Sequence, residues 1–304
     1  MDNPYAAPSF SAATRAAYAR DLAAFHAFCR AHDLALAMPA DPALIARYLA
    51  SIARTHATAT LRRRLRGIAA AHLVAGYDFP SDAIIVRNTM RGIARAHGTP
   101  PRRAAALCLR EVRAMLLSCD ETLTGLRDRA IILIGFAGGL RRSEITAIER
   151  EHLTFQPGSI RLHIPASKTD QGRAGDEIVI PAGMNRMTCP VRTLQRWLEV
   201  SATRFGPVFR GIDQWGTISD HALHPDGVRR IVRRAAERAG IKVAAHETLS
   251  PHGLRAGFVT EAHRMGARDE EIAGHTRHKS LASMRGYIRR SGKLDDNPAG
   301  KLGL

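Results

Sequence analysis

Apolar residues return every three or four positions through the first hundred residues, the period of helices that each bury one face. Tyr18, Leu22, Phe25 and Phe28 mark the first such face, on a helix running from Ser11. Asp41 followed by Pro42 is a strong helix start, because an aspartate caps free backbone N–H groups and proline fits the first turn. Leu44, Ile45, Tyr48, Leu49 and Ile52 follow it. Leu61, Leu65, Ile68 and Leu73 define a third helix; Ile85, Met90 and Ile93 define a fourth, expected to begin near Ser81. With no convincing strand between them, the four predict a small helical bundle.

The pattern breaks at HGTPPRR, His97–Arg103, where glycine and paired prolines read as an extended linker. The expected division is a helical domain at 1–98, a linker at 99–106 and a second domain at 107–304. Arg102 and Arg103 make the linker basic, which suits a phosphate backbone and a solvated tether equally. Beyond it, helices are expected at Leu109–Ser118, Arg127–Phe136, Pro190–Glu199 and Asp226–Ala239. Short strands at Ile160–Ile164 and Glu177–Ile180, joined by a polar connection, read as a hairpin. The fold class is therefore mostly α with a small β-sheet or hairpin: a helical bundle followed by an α+β domain.

Charge sharpens this picture. Lys and Arg number 45 against 28 Asp and Glu, a formal net charge of +17, which favours a polyanionic partner. The longest apolar run, Ala130–Leu140, is too short to span a bilayer, and MDNPYAAPSF lacks the features of a signal peptide. Nucleic acid in the cytoplasm is thus the expected partner, and no membrane. Cys29, Cys108, Cys119 and Cys189 are widely separated, with no CxxC pair, and read as reduced core residues rather than disulfides or zinc ligands. In the bundle, Arg62, Arg63, Arg64 and Arg66 cluster on the third helix, either as a DNA contact or as a solvated basic face.

Four segments of the second domain can carry chemistry. In AGGLRRSEI, Ala137–Ile145, two glycines end one helix and Ser143 is placed to cap the next, so Arg141 sits in a tight turn suited to holding a phosphate. In SKTDQG, Ser167–Gly172, Lys168 stands near the hairpin tip, where a lysine is a solvated charge or a proton donor to a leaving oxygen. SPHGLRAGFVTEA, Ser250–Ala262, starts a helix whose His252 and Arg255 share a face near its N-terminal end. GHTRHKSLASMRGYIRR, Gly274–Arg290, adds His275, His278, Tyr287 and the basic Arg285, Arg289 and Arg290. Each segment alone is explained by an ordinary surface or packing role.

In this order they resemble the catalytic domain of the tyrosine recombinases, the phage integrase family, over roughly 105–290. The family pattern is an arginine in a G-L-R-x-S-E turn, a lysine on a β-hairpin, an H-x-x-R pair, a histidine or tryptophan, and a tyrosine. Arg141, Lys168, His252, Arg255 and Tyr287 match in turn, and Glu144 matches the acidic residue after the first arginine. Of the two remaining histidines, His278 has the family's intervals, nine residues before Tyr287 and 23 after Arg255, whereas Gly274-His275 only imitates the familiar G-H pair. Arg277 departs from the pattern, standing where the family usually has glycine.

The resemblance implies a SAM-like core-binding bundle ahead of the catalytic domain, with the two holding the duplex from opposite sides. It implies double-stranded DNA with specific recombination sites as substrate and self-association into a tetramer on DNA, without cofactor, metal or ATP. Tyr287 would attack phosphorus to form a 3′-phosphotyrosyl link, with Arg141 and Arg255 neutralising the phosphate, His252 accepting the phenolic proton, His278 donating to the phosphate and Lys168 protonating the 5′-oxygen. In that family the tail after the tyrosine often packs on a neighbouring protomer; SGKLDDNPAGKLGL, short and glycine-containing, would do so or stay disordered when alone. The alternatives are DNA relaxation of the type IB topoisomerase kind and a non-catalytic DNA-binding protein on the same scaffold.

Overall fold

The computed structural model describes residues 10–79, 83–98, 100, 102–165 and 175–288. The chain divides into two compact units, Met1–Pro101 and Arg102–Leu304. The first contains α1 (Ala12–Ala31), α2 (Pro42–Ser51), α3 (Thr58–Val74) and α4 (Ile84–His97). Helix α1 lies along α3, and α2 along α4. The Asp41 carboxylate caps α2 at Ala43, the predicted chemistry, and the Ser11 hydroxyl caps α1 at the backbone N–H of Thr14. The buried stripe of α1 is Asp21, Phe25 and Cys29; Leu22 and Phe28 flank it, only partly buried. The described part of the fourth helix begins at Ile84, and Ser81 lies outside the described residues.

The second unit is built on α6 (Leu123–Ala137), which begins four residues before its predicted start and is buried on nearly every side. An all-round apolar helix of this kind belongs at the centre of a core. Around it pack α5 (Leu109–Leu117), α7 (Arg142–Thr146), α8 (Pro190–Val200), α9 (Pro225–Arg238) and α10 (His252–Arg264). The short helices α11 (Asp269–Thr276) and α12 (Leu281–Arg285) complete the unit, with α11 against α10 and α12 against α11.

The predicted hairpin is part of a three-stranded antiparallel sheet, β2 (Leu153–Gln156), β3 (Ser159–Ile164) and β4 (Asp176–Pro181). Ile160 faces Ile180 and Leu162 faces Ile178, and all four side chains enter the core. Lys168 lies outside the described residues, as do Arg289, Arg290 and the tail. Two further pairings escape the sequence pattern because their strands are very short: β5 (Arg210–Ile212) with β6 (Ile218–Ala222), and β1 (Arg103–Ala104) with β7 (Glu247–Thr248). The second pairing takes in part of the predicted linker 99–106: the Arg103 N–H donates to His246 O, and Ala105 is buried. Among the described residues no helix is long and apolar enough to cross a membrane.

Candidate active site

The turn between α6 and α7 sets the first arginine. Helix α6 ends at Gly138, and Gly139 takes φ +53°, a left-handed conformation that glycine adopts without steric cost. A side chain at Gly139 would also meet Thr276. Arg141, not Ser143, is the residue that starts α7: its backbone N–H donates to Glu144 Oε2 at 2.8 Å, and Ser143 is already inside the helix. The Arg141 guanidinium returns to the same carboxylate, Nη1 to Oε1 at 2.5 Å, with 24% of its side chain exposed.

Helix α10 supplies the second arginine from below. Arg255 is only 1% exposed, and its Nη1 donates to the carbonyl of Gly139 at 2.6 Å. Its Nη2 lies 3.3 Å from His278 Nε2, which must be the acceptor because a guanidinium only donates. Burial, then the charge of Arg141, lowers the Arg255 pKa to about 10, with Glu144 opposing.

His278 follows α11 and is half-buried. Its Nδ1 is 2.6 Å from the Thr276 hydroxyl, which itself donates to Ile272 O at 2.6 Å. The hydrogen bonds form one chain: Arg255 to His278, His278 Nδ1–H to Thr276, Thr276 to Ile272. Burial and the charges of Arg255 and Arg141 push the His278 pKa down to about 4, so the ring is neutral. His275, three residues earlier, points elsewhere: its Nε2–H donates to Ala137 O at 2.8 Å and its ring stacks on Phe258 at 4.8 Å.

Tyr287 lies just beyond α12 rather than within a helix, since α12 ends at Arg285. The Ser280 hydroxyl caps the start of that helix, accepting from Ser283 N. The tyrosine ring packs against a small apolar cluster of Val259, Ile272 and Met284, and Thr260 Oγ1 lies 3.1 Å from its carbonyl oxygen. Its hydroxyl is 2.7 Å from His252 Nε2, and the ring centroid is 5.1 Å from both His252 and His278. Partial desolvation, then Arg255 and Arg141, hold His252 below the usual imidazole range. With its proton on Nδ1 the neutral imidazole accepts at Nε2, and in that tautomer the phenol donates.

The structure therefore brings Arg141, Glu144, His252, Arg255, His278 and Tyr287 into one site, and leaves His275 out of it. Sequence reasoning noted Arg277 only as a departure and missed the roles of Thr276 and the Gly139 carbonyl. Arg277 joins the cluster by donating to Glu144 Oε2 at 2.8 Å. Burial of Glu144 works to raise its pKa, but Arg277, then the Arg141 N–H and guanidinium, outweigh it and hold the carboxyl below its ordinary value.

The basic residues outside the site divide differently. Arg62 and Arg66 are exposed, while Arg63 pairs with the buried Asp21 at 2.5 Å and Arg64 binds the Tyr48 hydroxyl at 2.7 Å. Arg102 and Arg103 are exposed at the start of the second unit.

A buried arginine and a half-open one converge here beside a hydrogen-bonded tyrosine–histidine pair, on a helical unit with a three-stranded sheet. Residues 106–293 match the phage integrase family, and the chain belongs to that family of site-specific tyrosine recombinases, enzymes of DNA strand cleavage and rejoining. It is 32% identical over 293 residues to an integrase/recombinase XerD homologue of Selenomonas ruminantium, covering 95% of this chain and 85% of that one. It is 28% identical to the tyrosine recombinase XerC of Pelobacter propionicus over 90% of this chain and 83% of the relative. Among solved structures, XerH recombinase in a post-cleavage complex with a palindromic difH substrate superposes with a TM-score of 0.66 at 19% identity, over 89% of this chain and 74% of that chain. A lambda integrase dimer bound to a COC′ core site gives 0.65 at 16% identity, over 95% and 93%. At these identities the structural likeness concerns the fold.

Proposed function

We propose that Tyr287 is the nucleophile that cleaves DNA at specific sites, and that Arg141, Arg255, His252, His278 and Lys168 serve its reaction. The observation that carries this is the 2.7 Å contact between the Tyr287 hydroxyl and a neutral His252, within the same cluster as two fixed arginines. An ordinary phenol, with a pKa of about 10, is a poor nucleophile at neutral pH. Positive charge around it stabilises the developing phenolate and the phosphate oxygens in the same step. The Tyr287 oxygen bonds to phosphorus, its proton passes to His252 Nε2, and the bond to the 5′-oxygen breaks. Lys168 gives that oxygen a proton. A 3′-phosphotyrosyl link remains and conserves the bond energy, so another 5′-hydroxyl can displace the tyrosine without ATP.

His278 has a second requirement. To donate to phosphate it must carry its proton on Nε2, where it now accepts from Arg255. The Thr276 hydroxyl permits this change, because it can turn from Ile272 O and donate to His278 Nδ1 instead.

The full reaction joins two sites through four protomers, with duplex DNA in the cytoplasm as substrate. Lambda integrase, similar in fold at a TM-score of 0.65, has been solved as a tetramer bound to a Holliday junction, which supports this assembly. A duplex that the protein selects from a random-sequence pool supplies the site for a test. Plasmids carrying two copies are expected to recombine, and sedimentation of the synaptic complex should give four protomers per two sites. Relaxation of site-free plasmids without recombination would favour the topoisomerase reading instead.

A further inference from the structure

Arg277 occupies a backbone position that disfavours it. It ends α11 with φ +57° and ψ +48°, the left-handed region where a side chain is strained and glycine is not. Only two other non-glycine residues among the described ones have positive φ. The side chain turns inward from that turn. Its Nη1 donates to His275 O at 2.9 Å, its Nη2 to Glu144 Oε2 at 2.8 Å, and 5% of it is exposed. Its Nε is buried with no partner. Both Nη groups are held by acceptors of the protein itself.

Its effect falls on Glu144. That carboxylate holds Arg141 by two bonds, one to the backbone that starts α7 and one to the guanidinium. With Arg141 as its only cationic partner, a carboxylate buried to this degree would spend its charge on the arginine meant for substrate. Arg277 takes up the Oε2 side, so Glu144 can orient Arg141 without neutralising it. Resting on the site reading above, we propose that Arg277 is a positioning residue for Arg141, acting through Glu144, and that the strained turn is retained for this ion pair.

The experiment measures covalent adduct formation on a nicked suicide duplex carrying the selected site, at saturating DNA, together with DNA affinity and thermal midpoint. A mere filler predicts that Arg277→Gly, which relieves the backbone, cleaves at the wild-type rate. Positioning predicts at least a tenfold slower cleavage with affinity within twofold, and partial rescue by Arg277→Lys. In a Glu144→Gln background, Arg277→Gly should change the rate by less than threefold, because the partner is gone. A full tenfold loss in that background, or wild-type cleavage by Arg277→Gly, overturns the proposal. If Arg277→Gly alone does not fold, Arg277→Gln, which removes the charge and keeps a polar side chain, decides it: cleavage at least tenfold slower at unchanged affinity supports positioning, and wild-type cleavage overturns it. Absence of an adduct in the wild-type protein would instead sink the nucleophile reading itself.

Discussion

His278 stands three positions after His275, and the left-handed turn at Arg277 sends their rings in different directions. His278→Ala removes a group that touches Arg255, and is expected to slow cleavage about a hundredfold at saturating DNA. His275→Ala loses a bond to Ala137 O and a stacked ring, so it should lower stability while leaving cleavage within a few-fold; rapid-quench adduct assays check both. The reverse order would exchange the two histidines. Titration offers a second check. His278 has a folded pKa of about 4, below the ordinary imidazole value of about 6.5, so the unfolded chain binds the extra proton between these limits. Its stabilising contribution is complete above that window and is lost as pH falls through it. Thermal midpoints of His278→Asn should therefore fall less steeply than wild type from pH 6.5 to 4, and parallel curves would contradict the shift. The family's intervals pointed to His278, and it is that ring which lies beside Arg255 and Tyr287. The intervals could not show Arg277's ion pair, because that depends on a backbone conformation and on a carboxylate 133 positions away.

Helix α10 does two jobs on two faces. His252 and Arg255 enter the site, while Gly253 and Gly257, one turn apart, let the 105–108 backbone run against the helix; Leu107 N donates to Gly253 O at 2.9 Å. A Cβ at Gly257 would collide with the Leu107 carbonyl, which is backbone and cannot swing aside. Gly257→Ala should cost about 1–3 kcal/mol by overpacking, read as a lower urea midpoint; an unchanged midpoint would show that the strand yields. In HGLRAGF the chemistry-bearing side chains were legible, since their meaning lies in type and spacing. The glycines' purpose was not, because their partner lies some 150 positions earlier. Helix periodicity likewise found the four helices of the first unit and the start of α2, whereas two-residue strands such as β1 and β7 carry no pattern to find.

Across the molecule, a charge of +17 says that DNA should be attracted but not which arginines attract it. Pairing makes the distinction. Arg62→Gln and Arg66→Gln remove exposed charges, and each that contacts phosphate should lower affinity and reduce the salt slope of log K by about 1. Arg63→Gln should instead destabilise the first unit by about 1–3 kcal/mol, because it leaves Asp21 buried and unpaired. Fluorescence anisotropy across a salt series, beside thermal melts, separates the two effects. An Arg63 variant with full stability and a shallower slope would move it into the DNA-contact group. The central claim, that Tyr287 forms the covalent link, is tested most directly by denaturing electrophoresis of protein trapped on the nicked suicide duplex. Wild type should yield a protein–DNA adduct and Tyr287→Phe none; an adduct of undiminished yield in Tyr287→Phe would contradict it.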